Sequence, residues 1–296
     1  MSARTLTVAC VQHACGTDAQ ANFATSAAGV RQAAAAGAQL ILLQELHQSV
    51  YFCQVEDPAL CDLAEPIPGP GSERLGALAL ELDVVIVGSL FERRLAGVYH
   101  NTAVVLERDG TLAGRYRKMH IPDDPGYFEK FYFTPGDGPF APIDTSLGRL
   151  GVLVCWDQWY PEAARLMALA GADLLLYPTA IGWDPTDPPD EQARQREAWI
   201  TVQRSHAIAN GLPLLTCNRV GVERMPGGPP AGSAFWGNSF IAGPQGEILA
   251  QAPGDGPAVL SVTLDLTHAE QVRRMWPFLR DRRIDAYQDL SRRVRD

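Results

Sequence analysis

The chain has 296 residues, of which 46% are hydrophobic and 20% are charged, a composition ordinary for a globular protein. Its formal net charge of −9 argues against a nucleic-acid-binding surface and suits a cationic small molecule. No segment approaches the roughly 18 apolar residues of a membrane span, and the N-terminus lacks an apolar run of signal-peptide length. Composition therefore predicts a globular protein that binds neither nucleic acid nor membrane.

The six cysteines form no CxxC pair and no repeated spacing, and a chain of this length does not need disulfides to fold. We therefore expect a reducing, cytoplasmic compartment. The six are Cys10, Cys15, Cys53, Cys61, Cys155 and Cys217.

Strand and helix patterns alternate from the start of the chain. Short apolar runs bounded by helical patterns indicate inner strands that are covered on both faces. The predicted strands are Leu6–Gln12, Gln39–Gln44, Val84–Gly88, Val152–Cys155, Leu174–Tyr177 and Leu212–Cys217. The predicted helices are Asn22–Ala36, Glu73–Leu82, Pro161–Ala170 and Arg194–Asn210.

The two halves of the chain resemble each other. Residues 36–45 (AGAQLILLQE) parallel residues 170–179 (AGADLLLYPT), and both segments follow a helix. Residues 101–114 (NTAVVLERDGTLAG) parallel residues 238–251 (NSFIAGPQGEILAQ), each with two β-type runs around a glycine turn. The repeat predicts an α/β sandwich with pseudo-twofold internal symmetry, with two sheets inside and helices outside. We see no domain boundary and expect residues 1–296 to form a single domain.

Two long connections are rich in proline, glycine, aromatic or acidic residues. They are residues 122–142 and 182–191, and their composition is not that of a flexible linker. We expect ordered loops over a pocket.

Cys155 is the strongest candidate for chemistry. It follows the apolar run GRLGVLV and precedes a helix whose start is marked by Pro161 and Glu162. At such a strand end a thiol can project into a cleft beside free backbone N–H groups. A thiolate is the nucleophilic form, so the site needs a base or a cation. A buried structural cysteine is the alternative, and it is the expected role of Cys10, Cys53, Cys61 and Cys217.

Glu45 and Lys118 are the candidate partners of the thiol. Glu45 closes the apolar strand LILLQE, where a carboxylate is costly unless it is paired or faces a cleft. It could act as a general base, and Lys118, after the strand GRYR, could stabilise a negative intermediate. Glu45 could instead be an ordinary strand-terminal carboxylate, and Lys118 could be a solvated lysine.

The six histidines offer no metal-ligand spacing, and GxGxxG and Walker motifs are missing from the sequence. Each histidine is expected to be structural, with His120 a small exception because it lies close to Lys118. No metal or nucleotide site is indicated.

Four segments resemble the nitrilase superfamily of carbon–nitrogen hydrolases. They are QELHQSVYFCQ, RKMHIPDDPGYFEKFYFTPGD, CWDQWYPEAARLMALAGADLLLYPTAIG and GNSFIAGPQGEIL. The similarity extends over nearly the whole chain and is greatest to the branch that hydrolyses N-carbamoylputrescine. It implies a four-layer αββα sandwich and a reaction that needs no cofactor. It also implies Cys155 as nucleophile, Glu45 as general base, Lys118 as the stabilising cation, and Glu129 as a second glutamate that orients lysine and substrate.

The resemblance also implies a substrate site for a cationic ureido compound. Tyr51, Asp123 and Asp184 match positions where the branch places groups for the ammonium end, and the backbone of Trp156 would help to bind the oxyanion. This chain reads TAIGWDP where that branch commonly reads TAIGSEP. Trp183 beside the shorter Asp184 suggests a different chain-length preference.

Two alternatives stay open at this point. One is an amidase for another carbamoyl compound such as N-carbamoyl-β-alanine, whose carboxylate would require an arginine in the pocket. The other is a non-catalytic scaffold, which the presence of all catalytic residue types disfavours. The basic C-terminal stretch is interrupted by acidic residues and is expected to be a solvated tail. The resemblance implies that the tail, from about residue 265, packs across a subunit interface in a homo-oligomer.

Overall fold

Two six-stranded sheets form the centre of the computed structural model, which describes residues 4–184 and 186–295. The strands, in chain order, are β1 (Thr5–Gln12), β2 (Leu40–Leu43), β3 (Val85–Leu95), β4 (Val98–Leu106), β5 (Leu112–Arg117), β6 (Ile143–Thr145), β7 (Gly148–Val152), β8 (Leu174–Pro178), β9 (Gly182–Trp183), β10 (Leu214–Cys217), β11 (Val220–Glu223), β12 (Ser233–Trp236), β13 (Phe240–Ala242), β14 (Ile248–Gln251) and β15 (Ala258–Asp265). The helices are α1 (Ala19–Ala35), α2 (Pro70–Leu82), α3 (Glu129–Tyr132), α4 (Pro161–Leu169), α5 (Pro189–Asn210) and α6 (Leu266–Met275). Short 3₁₀ helices span Phe52–Gln54, Pro58–Leu63, Cys155–Trp159, Ile284–Ala286 and Gln288–Ser291.

The two sheets repeat one strand order. The first runs β15-β1-β2-β3-β4-β5 and the second runs β6-β7-β8-β10-β13-β14. In each sheet three inner strands are parallel (β1, β2 and β3; β7, β8 and β10), and a hairpin follows them (β4–β5; β13–β14). The predicted internal repeat and pseudo-twofold arrangement are confirmed.

The layers explain why the inner strands are apolar throughout. Along β2, Leu40 and Leu42 belong to the core between the two sheets, whereas Ile41 and Leu43 pack with residues of α1 and α2. On the far side, Met167 of α4 joins the core of the second sheet. Because side chains alternate across a strand, a sheet covered on both faces needs an unbroken apolar run. The α/β four-layer αββα sandwich is confirmed.

Several boundaries differ from the sequence-based expectation; the largest difference is in β3, which runs to Leu95 instead of Gly88. Helix α5 begins at Pro189 instead of Arg194, since proline suits the first helical turn and Asp190 and Glu191 favour its positive end. Strand β7 ends at Val152, and Cys155 begins a 3₁₀ helix instead of ending the strand. In the described part of the chain, no helix has the length and apolar character needed to cross a membrane.

The strand directions bring the candidate residues to one end of the sandwich. β2 and β5 run in the same direction, so Glu45 and Lys118 follow their carboxyl ends at one edge of the first sheet. Cys155 follows the carboxyl end of β7 in the second sheet. Ligands of α/β proteins commonly bind at this kind of edge.

Candidate active site

Lys118 lies between two carboxylates inside the protein. Its Nζ donates to Glu45 Oε1 at 2.8 Å and to Glu129 Oε2 at 2.6 Å, and all three side chains are buried. Asn101 Nδ2 also donates to Glu45 Oε1, at 2.6 Å. Glu45 Oε2 is buried and has no hydrogen-bond partner among the residues that the structure describes. Glu45 therefore keeps one carboxylate oxygen free to accept a proton.

Cys155 sits at a sharp turn of the backbone on the opposite sheet. Its φ of 43° lies in the left-handed region, which is uncommon for a residue other than glycine and often marks functional sites. The side chain lines a cavity of ≈ 520 Å³, and Sγ lies 3.8 Å from the carbonyl oxygen of Ala180. Trp156 follows in the first turn of a 3₁₀ helix, where backbone N–H groups lack intrahelical acceptors. Thiol and N–H are thus available on one turn.

Electrostatics show how these groups act on one another. Burial raises the pKa of the Cys155 thiol well above its ordinary value; Glu45 adds to this rise and Lys118 opposes it. Burial alone would lower the pKa of Lys118, but Glu129, Glu45 and Cys155 outweigh it and hold that pKa well above normal. Burial raises the pKa of Glu129 to about 7 against the opposing charge of Lys118. A thiol with a raised pKa needs a base before it can attack.

Further side chains hold this arrangement in place. Tyr51 is buried, and its hydroxyl donates to Glu129 Oε1 at 2.8 Å. Asp157 accepts hydrogen bonds from the backbone N–H of Val154 at 2.9 Å and from the Tyr116 hydroxyl at 2.9 Å. It also pairs with the ring of His120 at 2.7 Å. Asp157 fixes both ends of the turn that carries Cys155, and His120 belongs to this support.

The cavity brings together only part of the predicted substrate site. Trp156 and Asp184 line it, whereas Tyr51 lies behind Glu129 and is not among the lining residues. Asp123 is exposed and does not line the cavity, but its neighbour Asp124 does. The other carboxylates of the lining are Glu129, Asp187 and Glu191.

Trp183 takes a different position from the one that its sequence neighbourhood suggests. It is not a lining residue of the cavity; its indole N–H donates to the Gln192 carbonyl at 2.9 Å, and its ring packs edge-on against Trp236. Asp184 accepts from the backbone and the hydroxyl of Thr186, as in a turn. The following Pro185 lies outside the described residues. Trp183 therefore ties this segment to α5 and adds no bulk to the cavity.

Sequence reasoning missed several residues of this site. Asn101 begins the repeated hairpin, whose second copy also begins with asparagine, so the repeat itself held that signal. Asp157 had no such signal, because two of its partners, Tyr116 and His120, come from a distant segment of the chain. Arg219 and Glu223, in a largely apolar stretch, are both fully buried next to the turn after Glu45.

The site combines a thiol on a strained turn at a cavity with a lysine held by two carboxylates. This arrangement is typical of a hydrolase that uses a cysteine nucleophile. The chain belongs to the carbon–nitrogen hydrolase family, whose model matches residues 7–274. It is 45% identical over 291 residues to the N-carbamoylputrescine amidase of Solanum lycopersicum, covering 97% of this chain and 95% of that protein. It is 39% identical over 287 residues to the citrullinase of Francisella tularensis, covering 97% and 98%. The carbon–nitrogen hydrolase structure from Helicobacter pylori G27 matches with a TM-score of 0.95 at 52% identity, covering 98% and 100%.

Proposed function

We propose that the protein hydrolyses N-carbamoylputrescine to putrescine, carbon dioxide and ammonia, a step of polyamine synthesis. The observation that carries this proposal is that Glu45 keeps a free carboxylate oxygen beside Lys118, close enough to Cys155 for both charges to act on its thiol at the wall of an acidic cavity. Similarity to four plant N-carbamoylputrescine amidases supports the choice of substrate.

The proposed mechanism is acyl transfer in two steps. Glu45 accepts the proton of Cys155, and the thiolate attacks the ureido carbonyl carbon. Lys118 and the N–H of Trp156 stabilise the oxyanion, and loss of one such donor typically costs about 3 kcal/mol. Glu45 returns the proton to the leaving ammonia, so that a carbamoyl thioester remains. Water activated by Glu45 cleaves the thioester, and the resulting carbamate breaks down to amine and carbon dioxide.

The ammonium end of the substrate requires a carboxylate partner in the cavity. Most lining carboxylates already accept hydrogen bonds from their own chain: Asp187 from Gln195, and Glu191 from Gln195 and Arg194. No residue within 4–184 and 186–295 donates a hydrogen bond to the carboxylate of Asp124. We infer that Asp124, instead of Asp123, is the principal partner of the ammonium group.

A pair of neighbouring substitutions tests this assignment. Asp124→Asn is expected to lower kcat/KM for N-carbamoylputrescine roughly tenfold, the effect of about 1.4 kcal/mol. The same variant should leave kcat/KM for neutral N-butylurea unchanged. Asp123→Asn is the matched control and should affect neither substrate. A loss confined to Asp123→Asn would reverse the assignment.

Citrulline is the second candidate, because the citrullinase similarity favours an amino-acid ureide. Its carboxylate would need a cation, and Arg194 lines the cavity. That guanidinium, however, already pairs with Asp190 at 2.9 Å and Glu191 at 2.7 Å. We therefore rank citrulline, like N-carbamoyl-β-alanine, below the diamine derivative.

Steady-state rates with N-carbamoylputrescine, citrulline and N-carbamoyl-β-alanine decide between these substrates. The proposal requires the highest kcat/KM for N-carbamoylputrescine. Higher kcat/KM for citrulline, lost in Arg194→Gln, would establish the second candidate instead.

We further propose that the C-terminal tail packs against another copy of the chain. Large apolar side chains are exposed after α6, including Trp276, Ile284 at 73% and Leu290 at 65%. Exposed apolar patches of this kind mark interfaces. Ile284→Asp with Leu290→Asp is expected to lower the molar mass in sedimentation, and an unchanged mass would refute the interface.

We place the protein in the cytoplasm, as a single domain over residues 1–296 with no nucleic-acid or membrane partner. The six cysteines are free thiols, and five of them are buried, which suits a reducing compartment. Fractionation of cells that produce the protein tests the location.

A further inference from the structure

A buried ion pair lies behind the turn that carries Glu45. Arg219 Nη1 donates to both carboxylate oxygens of Glu223, at 2.8 and 2.9 Å, and both side chains are excluded from solvent. Neither residue lines the cavity. A buried ion pair gives little net stability, because the loss of hydration offsets the attraction of the charges. The pair therefore needs another explanation.

Arg219 binds the backbone on both sides of the turn after β2. Its Nε donates to the carbonyl of Glu45 at 3.1 Å, and its Nη2 to the carbonyl of Leu46 at 2.6 Å. Nη1 also donates to the carbonyl of Ser49 at 3.0 Å. Leu46 has φ 49°, a conformation that a bulky side chain disfavours. The planar guanidinium thus satisfies three carbonyls, two of them fully buried, and holds Glu45 on a strained turn.

Glu223 reaches the second carboxylate of the site by another route. Its Oε2 accepts from the backbone N–H of Tyr51 at 2.6 Å. The hydroxyl of Tyr51 donates to Glu129, which accepts from Lys118. One side of the ion pair therefore fixes the backbone of Glu45, and the other fixes the residue that orients Glu129.

We propose that Arg219 and Glu223 are positioning residues for catalysis, which set both carboxylates against Lys118 and aim the free oxygen of Glu45 at Cys155. This inference rests on the proposed function of the site. Neither residue touches the substrate; each acts through the backbone or through Tyr51. Loosening the pair should slow the chemical step and leave substrate binding nearly unchanged, because the cavity walls come from other segments.

Arg219→Lys tests the role. Lysine keeps the positive charge, but its single ammonium group cannot donate to the three separate carbonyls and to Glu223 as the guanidinium does. We expect kcat to fall about 100-fold, the effect of a displacement of roughly 1 Å at a reacting group, with KM within about threefold of wild type. The rate at which iodoacetamide alkylates Cys155, followed by mass spectrometry across pH, should approach that of Glu45→Gln. Leu78→Ala, in the helix-side core of the first sheet, is the control for lost stability and should keep its kcat below its melting temperature.

Glu223→Gln is the second variant and decides the matter if Arg219→Lys does not fold. It should lower kcat about tenfold at unchanged KM, because the amide still accepts from Tyr51. A wild-type kcat with only a lower melting temperature, or a rise in KM equal to the loss in kcat, would overturn the positioning role. A failure of the proposed function gives a different result. In that case Cys155 of the Glu45→Gln variant would be alkylated by iodoacetamide at the wild-type rate.

Discussion

The two halves of the sandwich place different residues at equivalent positions. Residues 36–45 and 170–179 are repeat copies, so Glu45 corresponds to Thr179, and the two meet in space where the N–H of Glu45 donates to the Thr179 carbonyl at 3.3 Å. The Thr179 hydroxyl donates to its own strand, to the Tyr177 carbonyl at 3.0 Å. Glu45 instead meets Lys118 and Asn101.

The same fold position thus carries a charge in one half and a satisfied hydroxyl in the other. The first half can bury a carboxylate because lysine and amide donors compensate for its lost hydration. The second half contributes the thiol and the N–H of its turn. The internal repeat accounts for the strand order that the two sheets share. The chemistry depends on the positions at which the two copies have different residues.

The largest expected effect comes from removing the contribution of the second half. Cys155→Ala should lower ammonia release from N-carbamoylputrescine by at least about 10⁴-fold, since no nucleophile remains. Cys155→Ser should give no thioester by mass spectrometry. The matched control is Cys61→Ser, away from the cavity lining, which should keep wild-type turnover. Full activity in Cys155→Ala would end the covalent mechanism.

The next effect compares the equivalent positions directly. Glu45→Gln should lower kcat on the order of 10² to 10⁴-fold, because an amide cannot accept the thiol proton. Thr179→Val should change kcat less than about threefold, because its hydroxyl bonds only within the second half. Steady-state kinetics at one pH suffice. Equal losses in both variants would mean that the two positions share a structural role.

The smallest effect concerns the pH dependence of folding. The residue that follows β1 is His13, whereas the residue that follows β7 in the second sheet is the apolar Leu153. His13 bonds to Ser26, which also contacts His47, and all three side chains are buried. Burial lowers the pKa of His13 to about 4 and holds that of His47 well below normal.

A histidine whose pKa is lowered by folding binds more protons when unfolded, so the free energy of unfolding falls as pH drops from about 6.5 to about 4. For His13 alone we expect a loss of about 2 kcal/mol between pH 7 and pH 5. Urea titrations at both pH values measure it. His13→Gln should reduce the difference, and the exposed His268→Gln should not. A pH-independent stability between 7 and 5 contradicts the prediction.

Local patterns were enough for the layers and the repeat, because a strand buried on both faces needs a continuous apolar run. That signal is clear in Leu40–Leu43 and in the run that ends β7 (Gly148–Val152), and the ends of these strands pointed to Glu45 and Cys155. Boundaries were less accurate where a proline could start a helix early, as at Pro189.

The sequence by itself determined the fold class, and it pointed to the thiol, the lysine and the two glutamates that the structure brings close together. Only the tertiary structure decided that Asp124 and not Asp123 faces the cavity, that Trp183 turns toward α5, and that Arg219 holds the turn after Glu45. The physical reason is the distance along the chain over which each feature is set. Periodicity and strand ends are properties of residues that are neighbours in the sequence. The direction of a loop side chain and the partner of a buried charge depend on segments that meet only when the chain folds.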